Sequence, residues 1–273
     1  MRSYFRVPAA PLSEFVGLLW MYEGYEQPHK KERLLPDGSM ELVVNLNEDL
    51  VRAYDPYETQ KFQSLRGSVM VGAHSEFFVI DTAQQQAVVG VHFKPGGAFP
   101  FFDPPAGELR NQMVSLDALW GRLAGQLRDR LLEAGSPQAM LRVLEEILIA
   151  RAGGRLQRHP AVRFALGEFH GSTHSRKIAQ VTGQIGLSPK RFIEVFRGEV
   201  GLTPKLFCRV RRFQRAVKLA SSGRPVEWAA LAADCGYFDQ AHFIHDFRAF
   251  SGINPSTYIA QRTEHLNHVP LAE

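Results

Sequence analysis

Two nine-residue segments in the C-terminal half of the chain align with each other without a gap, and this similarity limits the fold more than any other feature. Residues 196–204 read Phe-Arg-Gly-Glu-Val-Gly-Leu-Thr-Pro, and residues 247–255 read Phe-Arg-Ala-Phe-Ser-Gly-Ile-Asn-Pro, an offset of 51 residues. Phe192 and Phe243 extend the match at the same offset. Self-similarity at a fixed period indicates one supersecondary unit used twice. Two copies of one small fold are therefore predicted here.

Each copy has the sequence of two short helices joined by a turn. Gly186 in the first copy and Gly236 in the second follow a short amphipathic stretch, and Ser188 or Asp239 comes next. Such a polar residue caps a helix, because its side-chain oxygen accepts from the N–H groups that the first helical turn leaves unpaired. A glycine and a proline then end each second helix. This order of signals describes a helix-turn-helix.

The two units are expected to lie in tandem on either side of a long helix. The first helix-turn-helix is predicted at about 175–200, the connecting helix at about 204–221 and the second helix-turn-helix at about 226–252. At ~1.5 Å per residue the connecting helix spans roughly 27 Å. With the widths of the helix-turn-helix units added to this length, the second helices of the two units can lie about one DNA turn apart, ~34 Å. Since both units run in the same order, the predicted DNA site consists of two boxes in direct orientation.

The two halves of the chain differ in charge. Residues 1–154 carry a formal charge of −4 and residues 155–273 a charge of +8. A basic half joined to an acidic half indicates that one of them binds a polyanion. The chain has no apolar run of membrane-spanning length and no apolar stretch near its start that is typical of a secretion signal. Its two cysteines, Cys208 and Cys235, lack metal-ligand spacing, so we expect a cytoplasmic protein.

The N-terminal half is predicted to form an antiparallel β-sheet, curled or closed into a barrel. Runs beginning at Met40 and Ala87 are rich in β-branched residues and are flanked by turn sequences. From Leu116 onward, apolar residues recur at helical spacing, which predicts two helices that close the sheet. The expected domains are 1–152 and, after a pair of glycines, 156–265. The predicted fold class is therefore α+β, with an all-α C-terminal domain.

Several ordered sequence strings carry a resemblance to a known family. These are residues 185–189, 231–243 and 252–255, in which the C-terminal half resembles the DNA-binding region of the AraC/XylS family of bacterial transcription regulators. Residues 35–38 and 89–97 are similar to the leading domain of little-characterised members of that family. The resemblance implies a sequence-specific transcription regulator with an N-terminal effector or dimerisation domain.

Early positions of each second helix are the candidates for reading DNA. A helix-turn-helix places the first turns of this helix in the major groove, and the resemblance implies base contacts from the equivalent positions here. The predicted base-reading residues are Lys190, Arg191, Glu194, Gln240, His242 and His245. The predicted phosphate-contacting residues are Arg197, Arg248, Lys205 and Arg211, which position a unit without specifying sequence. Ser188 and Asp239 are predicted to cap their helices rather than to read bases.

Three residues of the N-terminal half are candidates for an effector-binding site. Glu41, His74 and His92 carry the ionisable groups that such a site uses, and the alternative is that they are satisfied residues of the core. His242 and His245, three residues apart, could form a metal pair, but no third ligand lies nearby, so DNA contact is favoured.

The expected partners are double-stranded DNA and a small-molecule effector, with RNA polymerase and a second copy of the chain as further candidates. We expect no cofactor, no metal, no membrane contact and no catalysis. Two other functions stay open at this point. One is a DNA-binding architectural protein without a ligand, in which the first domain only dimerises. The other is an N-terminal enzyme domain with a DNA-binding tail.

Overall fold

The computed structural model of the protein describes residues 1–171, 178–223 and 225–271. Positions 175–177 of the predicted first helix-turn-helix therefore lie outside the described residues. The strands of the N-terminal half are β1 (Arg2–Arg6), β2 (Val16–Glu23), β3 (Lys31–Leu34), β4 (Met40–Asn45), β5 (Val51–Tyr54), β6 (Phe62–Leu65), β7 (Ser68–Val71), β8 (Phe78–Asp81), β9 (Ala87–Phe93) and β10 (Met113–Ser115).

The helices and the last strand follow in chain order. They are α1 (Leu116–Trp120), α2 (Arg122–Glu133), α3 (Pro137–Ala152), α4 (Pro160–Gly171), α5 (Ile178–Ile185), α6 (Pro189–Val200), α7 (Pro204–Ala220), α8 (Trp228–Asp234), α9 (Gln240–Ser251), α10 (Pro255–Gln261) and β11 (His268–Pro270).

The N-terminal strands form an antiparallel sheet, as predicted, and the α+β fold class is confirmed. Six strands pair in the order β1-β2-β9-β4-β7-β10, while β5 pairs with β6 and β3 lies between β11 and β8. The described strands thus form three separate sheets and do not close on one another, so of the two predicted alternatives, a curled or a closed sheet, closure is not observed. In the central pairing, Leu42 lies opposite Val91, and both side chains are fully buried.

Helices cover one face of the six-stranded sheet, and the other face lines a cavity. Alternate strand residues such as Leu42 and Val91 point to the helical side, because side chains alternate between the two faces of a strand. Three helices follow the sheet where the sequence predicted two, since Gly121 adopts a positive φ of 57° and ends α1 after Trp120. Only glycine adopts such a conformation without strain. The opposite face of the sheet carries the polar candidates Glu41 and His92, which lie opposite each other.

Strand β11, which follows α10, joins the C-terminal half to the N-terminal half. Strand β11 pairs antiparallel with β3, and its residue His268 lies opposite Leu34. Beside this pairing the carboxylate of Glu32 is fully buried. It accepts hydrogen bonds from Tyr25 Oη at 2.8 Å, His29 Nε2 at 2.6 Å and His268 Nδ1 at 2.8 Å. Burial alone would raise the pKa of Glu32, but the bond and charge of His268 and the other two bonds lower it to about 2.

The Glu32 carboxylate is expected to give the fold an acid-sensitive contribution to stability. Its pKa is lower in the folded chain than the ~4.3 of an unfolded glutamate, so the contribution is complete above that value and is lost as pH falls towards 2. Between pH 5 and 2 the wild type should lose about 3 kcal/mol more unfolding free energy than Glu32→Gln. Urea denaturation across this pH range measures the difference, with the surface substitution Glu133→Gln as control. Parallel pH profiles for wild type and Glu32→Gln would contradict this role.

Candidate nucleic-acid interface and cavity

Helix α6 presents the polar candidates of the first unit to solvent. Ser188 Oγ accepts from the backbone N–H of Arg191 at 3.3 Å, so the helix begins at Pro189. Phe192 and Phe196 are fully buried and fix the rotation of the helix. The three predicted base-reading residues lie on the opposite, exposed side and are Lys190, Arg191 and Glu194.

Two of these candidates pair with each other. Arg191 Nη1 lies 2.9 Å from Glu194 Oε2, and both side chains are more than half exposed. An ion pair in that setting contributes little, because water screens it and two long side chains must be ordered. A DNA phosphate or base can therefore replace either partner at small cost.

Helix α9 repeats this arrangement in the second unit. Asp239 Oδ1 accepts from the backbone N–H of His242 at 2.7 Å and starts the helix at Gln240. Phe243 is fully buried, whereas Gln240, His242 and His245 are exposed. The first turns of both second helices thus begin at a side-chain cap and expose their polar face.

Asp246 is a buried carboxylate that sequence reasoning did not place in the site. It is 2% exposed, and its Oδ1 accepts from Arg209 Nη2 of α7 at 2.6 Å. His242 Nε2 and His245 Nδ1 each lie 3.9 Å from its carboxylate oxygens. Asp246 therefore ties α9 to α7 and lies beneath two predicted base readers. The sequence signal for this buried carboxylate is that position 246 is polar, whereas the equivalent position of the first copy is Val195.

The phosphate candidates lie in different environments. Arg197 Nη2 donates to the carbonyl oxygen of Gly107 in the N-terminal half at 3.4 Å. Lys205 and Arg248 are exposed, and Arg211 is half-buried on α7. Arg197 is thus part of the contact between the two halves, a role that its position after the base-reading turn did not reveal.

The three candidates of the N-terminal half line one cavity of about 480 Å³. Glu41 and His92 point from neighbouring strands, and His92 Nδ1 donates to Glu41 Oε1 at 2.8 Å. Asp37, from the turn before β4, lies 3.8 Å from His92 Nε2. Burial alone would lower the pKa of His92, but the hydrogen bond with Glu41 and the charges of Glu41 and Asp37 raise it to about 9. The His92 ring is therefore a cation at neutral pH.

His74 lines the same cavity but is held differently. Its ring is 8% exposed and lies against the Phe78 ring, with centroids 4.4 Å apart. Neither ring nitrogen has a hydrogen-bond partner among the described residues. Burial lowers the pKa of His74 to about 4, against the charge of Asp37, so the ring is neutral at pH 7. One nitrogen of a neutral imidazole is a donor and the other an acceptor, and both are unused here.

Aromatic and aliphatic side chains form much of the remaining cavity wall. Trp20, Tyr22 and Val43 come from the same sheet face as His92. The indole of Trp20 lies across Gly90, where a Cβ atom would come within 2.4 Å of the indole ring. Gly90 therefore lets the Trp20 ring lie close against the sheet.

The described residues contain no group of three or more histidine, cysteine, aspartate or glutamate side chains arranged to hold a metal ion. Cys208 and Cys235 are unpaired, and burial raises the pKa of both thiols to about 11. No helix in the described ranges combines the length and apolar character needed to cross a membrane.

Comparisons with known proteins concern both halves. Residues 181–261 match a family model described as a helix-turn-helix domain, and residues 5–115 match one described as a domain of unknown function (DUF6597). No significant match was found among curated proteins.

Similar solved structures include two proteins. The DNA-binding domain of AdpA, a global transcriptional factor in complex with a target DNA, is 19% identical and covers 37% of this chain and 90% of its own, with a TM-score of 0.34. ToxT from Vibrio cholerae is 10% identical and covers 89% of this chain and 96% of its own, with a TM-score of 0.46. A second ToxT structure, bound to an unsaturated fatty acid, is 9% identical and covers 88% of this chain and 93% of its own, with a TM-score of 0.44.

Replacing the buried Asp246 carboxylate should destabilise the C-terminal half of the chain. Asp246→Asn keeps the side-chain shape but leaves the Arg209 guanidinium without its anion, and we expect a loss of about 2 kcal/mol in unfolding free energy. Urea denaturation followed by circular dichroism measures the loss. The matched control is Asp234→Asn at an exposed position of α8. Equal stability of the two variants would contradict the structural role of Asp246.

Proposed function

We propose that the chain, whose residues 181–261 match a helix-turn-helix domain, is a DNA-binding transcription regulator that reads two DNA boxes in direct orientation under the control of a small-molecule effector. The proposed readers are the exposed residues at the starts of α6 and α9. The effector would occupy the cavity of the N-terminal half. Binding, without a catalytic step, is the whole of the proposed activity.

The observation that supports two-box reading is the equivalence of α6 and α9. Each begins at a side-chain cap, buries phenylalanines on one side, exposes polar residues in its first turns and ends at a glycine with positive φ, Gly201 or Gly252. Helix α7 lies between them in the chain and its 17 residues span roughly 25 Å at ~1.5 Å per residue. Two equivalent helices in one chain suit two successive major grooves.

The support for effector control is a cavity in contact with the DNA-reading half. Its lining includes residues 265–268, which follow α10. Its volume lies within the range of small-molecule sites, and its wall combines apolar side chains with a few polar groups, as such sites do. A molecule bound there can bias the DNA-reading half only by interacting differently with two arrangements of it.

Selection from a random duplex library with the purified full-length protein tests two-box reading. The enriched duplexes should contain two boxes in the same orientation with centres about one helical turn, ~10 base pairs, apart. Enrichment of a single box, or of an inverted repeat, would contradict the proposal. An unenriched library would exclude sequence-specific reading.

Gln240 and Arg248 should affect DNA binding in different ways. Gln240→Ala removes a side chain able to pair with adenine and should weaken binding of the selected duplex by ~1–3 kcal/mol, with little effect on random duplex. Arg248→Ala, the matched control on the same helix, should weaken both duplexes alike and reduce the salt slope by about one. Fluorescence anisotropy at several salt concentrations measures both effects. Equal loss on both duplexes for Gln240→Ala would remove Gln240 from the base-reading residues.

A further inference from the structure

Residues 72–78, which follow β7 and include the first residue of β8, contact both helix-turn-helix units. Gly201 ends α6, and a Cβ atom on it would lie 2.8 Å from the Cβ of Ala73. Gly252 ends α9, and a Cβ atom on it would lie 2.5 Å from the ring of Phe77. Both glycines also have positive φ, so close approach and backbone conformation each require glycine there. One short segment of the N-terminal half thus packs against the ends of both second helices.

The same segment forms part of the cavity wall. Gly72, His74 and Phe78 line the cavity, in alternation with the residues that contact the two helices. Asn111 holds the segment, because its Oδ1 accepts from the Ser75 N–H at 2.7 Å and its Nδ2 donates to Glu76 Oε1 at 2.9 Å. These two hydrogen bonds restrain the middle of the segment.

A second cavity turn contacts the connecting helix. Asp37 lines the cavity, and its neighbour Pro36 accepts through its carbonyl oxygen from Gln214 Nε2 of α7 at 2.8 Å. A Cβ atom on Gly38 would lie 3.3 Å from the Phe207 ring of the same helix. Asp37 and His74 both line the cavity, and the charge of Asp37 raises the pKa of His74 against the effect of burial. The two polar groups therefore belong to two turns that together contact α6, α7 and α9.

The charges of the cavity favour a cation. At one end of the lining the carboxylates of Asp37 and Glu41 face the single cation His92, a formal charge of −1. The lining also contains Asp81, Arg52, the N-terminal residue Met1 and His268, whose ring pairs with the buried Glu32. Arg52 is already paired with Asp81 at 3.1 Å, which leaves the negative surplus at the Asp37 end. An anionic head group would be repelled there, whereas an ammonium group has carboxylate acceptors.

The ring nitrogens of His74 and the apolar wall of the cavity supply the remaining contacts for such a ligand. The neutral imidazole offers an acceptor nitrogen to an ammonium N–H. The Trp20 and Tyr22 rings and the valines of the sheet suit an apolar body, and aromatic faces also attract a cation. A hydrogen bond to the ligand would satisfy a buried polar group that is costly to leave unpaired.

We propose that the cavity binds a small amphipathic amine whose ammonium group bridges His74 and Asp37, and that residues 72–78 transmit this binding to both helix-turn-helix units. The transmission step rests on the proposed function. By joining the two turns, the amine fixes α6 and α9, which contact residues 72–78, relative to α7, which contacts residues 36–38. It therefore changes the affinity for two boxes together and leaves the affinity for one box unchanged.

Three probes with one apolar chain and different head groups test the ligand class. Octylamine, octan-1-ol and octanoate are titrated into the full-length protein by calorimetry. Octylamine should bind at least tenfold more tightly than octanoate, with the alcohol between them. His74→Phe keeps a ring against Phe78, and Asp37→Asn keeps the side-chain shape. Each should weaken octylamine binding about tenfold, whereas Asp55→Asn, outside the cavity lining, should not.

Tighter binding of octanoate, or no binding of octylamine up to millimolar concentration, overturns the ligand class. Octylamine binding that both His74→Phe and Asp37→Asn leave unchanged overturns the assigned bridge. Either variant alone keeps the test decisive if the other fails to fold.

The transmission step is tested with duplexes that contain two boxes or one. Octylamine should change the affinity of the wild type for the two-box duplex at least threefold and leave the one-box duplex unaffected. An equal change on both duplexes, or no change on either, overturns transmission through residues 72–78. A protein that binds no DNA with or without amine overturns the proposed function and this step together. Failed amine titrations with intact DNA binding overturn this inference alone.

Discussion

Burial of an aromatic face on each second helix determines which side chains can meet DNA. Phe196 of α6 packs against Phe207 of α7 with ring centroids 5.8 Å apart, and Phe247 of α9 packs against Phe213 of α7 at 5.1 Å. Helix α7 therefore contacts α6 through Phe207, near its start, and α9 through Phe213, near its middle. Because a helix that buries one face must expose the other, the polar first turns of α6 and α9 point outward. The proposed DNA contacts depend on this orientation.

The remaining contacts connect that orientation to the N-terminal half. The buried pair of Arg209 with Asp246 joins α7 to α9. The ends of α6 and α9 pack on residues 72–78, and β11 adds a strand beside β3. These contacts join the N-terminal half to α6 and α9, the helices proposed to read DNA. Tightly packed contacts of this kind switch between discrete arrangements rather than deform gradually.

Local features of the fold were predictable from the sequence. The caps Ser188 and Asp239 and the apolar stripes of α6 and α9 are set by residues a few positions apart, so a sequence pattern contains them. The antiparallel N-terminal sheet was likewise predictable from its strand and turn signals. The early exposed positions of each second helix follow from the same periodicity.

Features that need distant partners were not predictable. Asp246 pairs with Arg209, which lies 37 residues away in the sequence. Strand β11, near the C-terminal end of the chain, pairs with β3, near its N-terminal end. Gly201 and Gly252 were assigned as helix ends, but their close approach to Ala73 and Phe77 depends on how the two halves pack. Glu41, His74 and His92 were named as single residues, and only the register of the strands brings them to one cavity.

Hydroxyl-radical footprinting of the full-length protein on its selected duplex tests the central claim most directly. The account predicts protection flanking two successive major grooves on one face of the duplex, about one helical turn apart. A DNA-cleaving reagent attached at position 190 should cut the duplex in one groove, and the same reagent attached at position 240 should cut it in the other. The two cleavage patterns should have the same orientation. Protection confined to one groove, or cleavage from both positions in the same groove, would contradict reading by two equivalent helices.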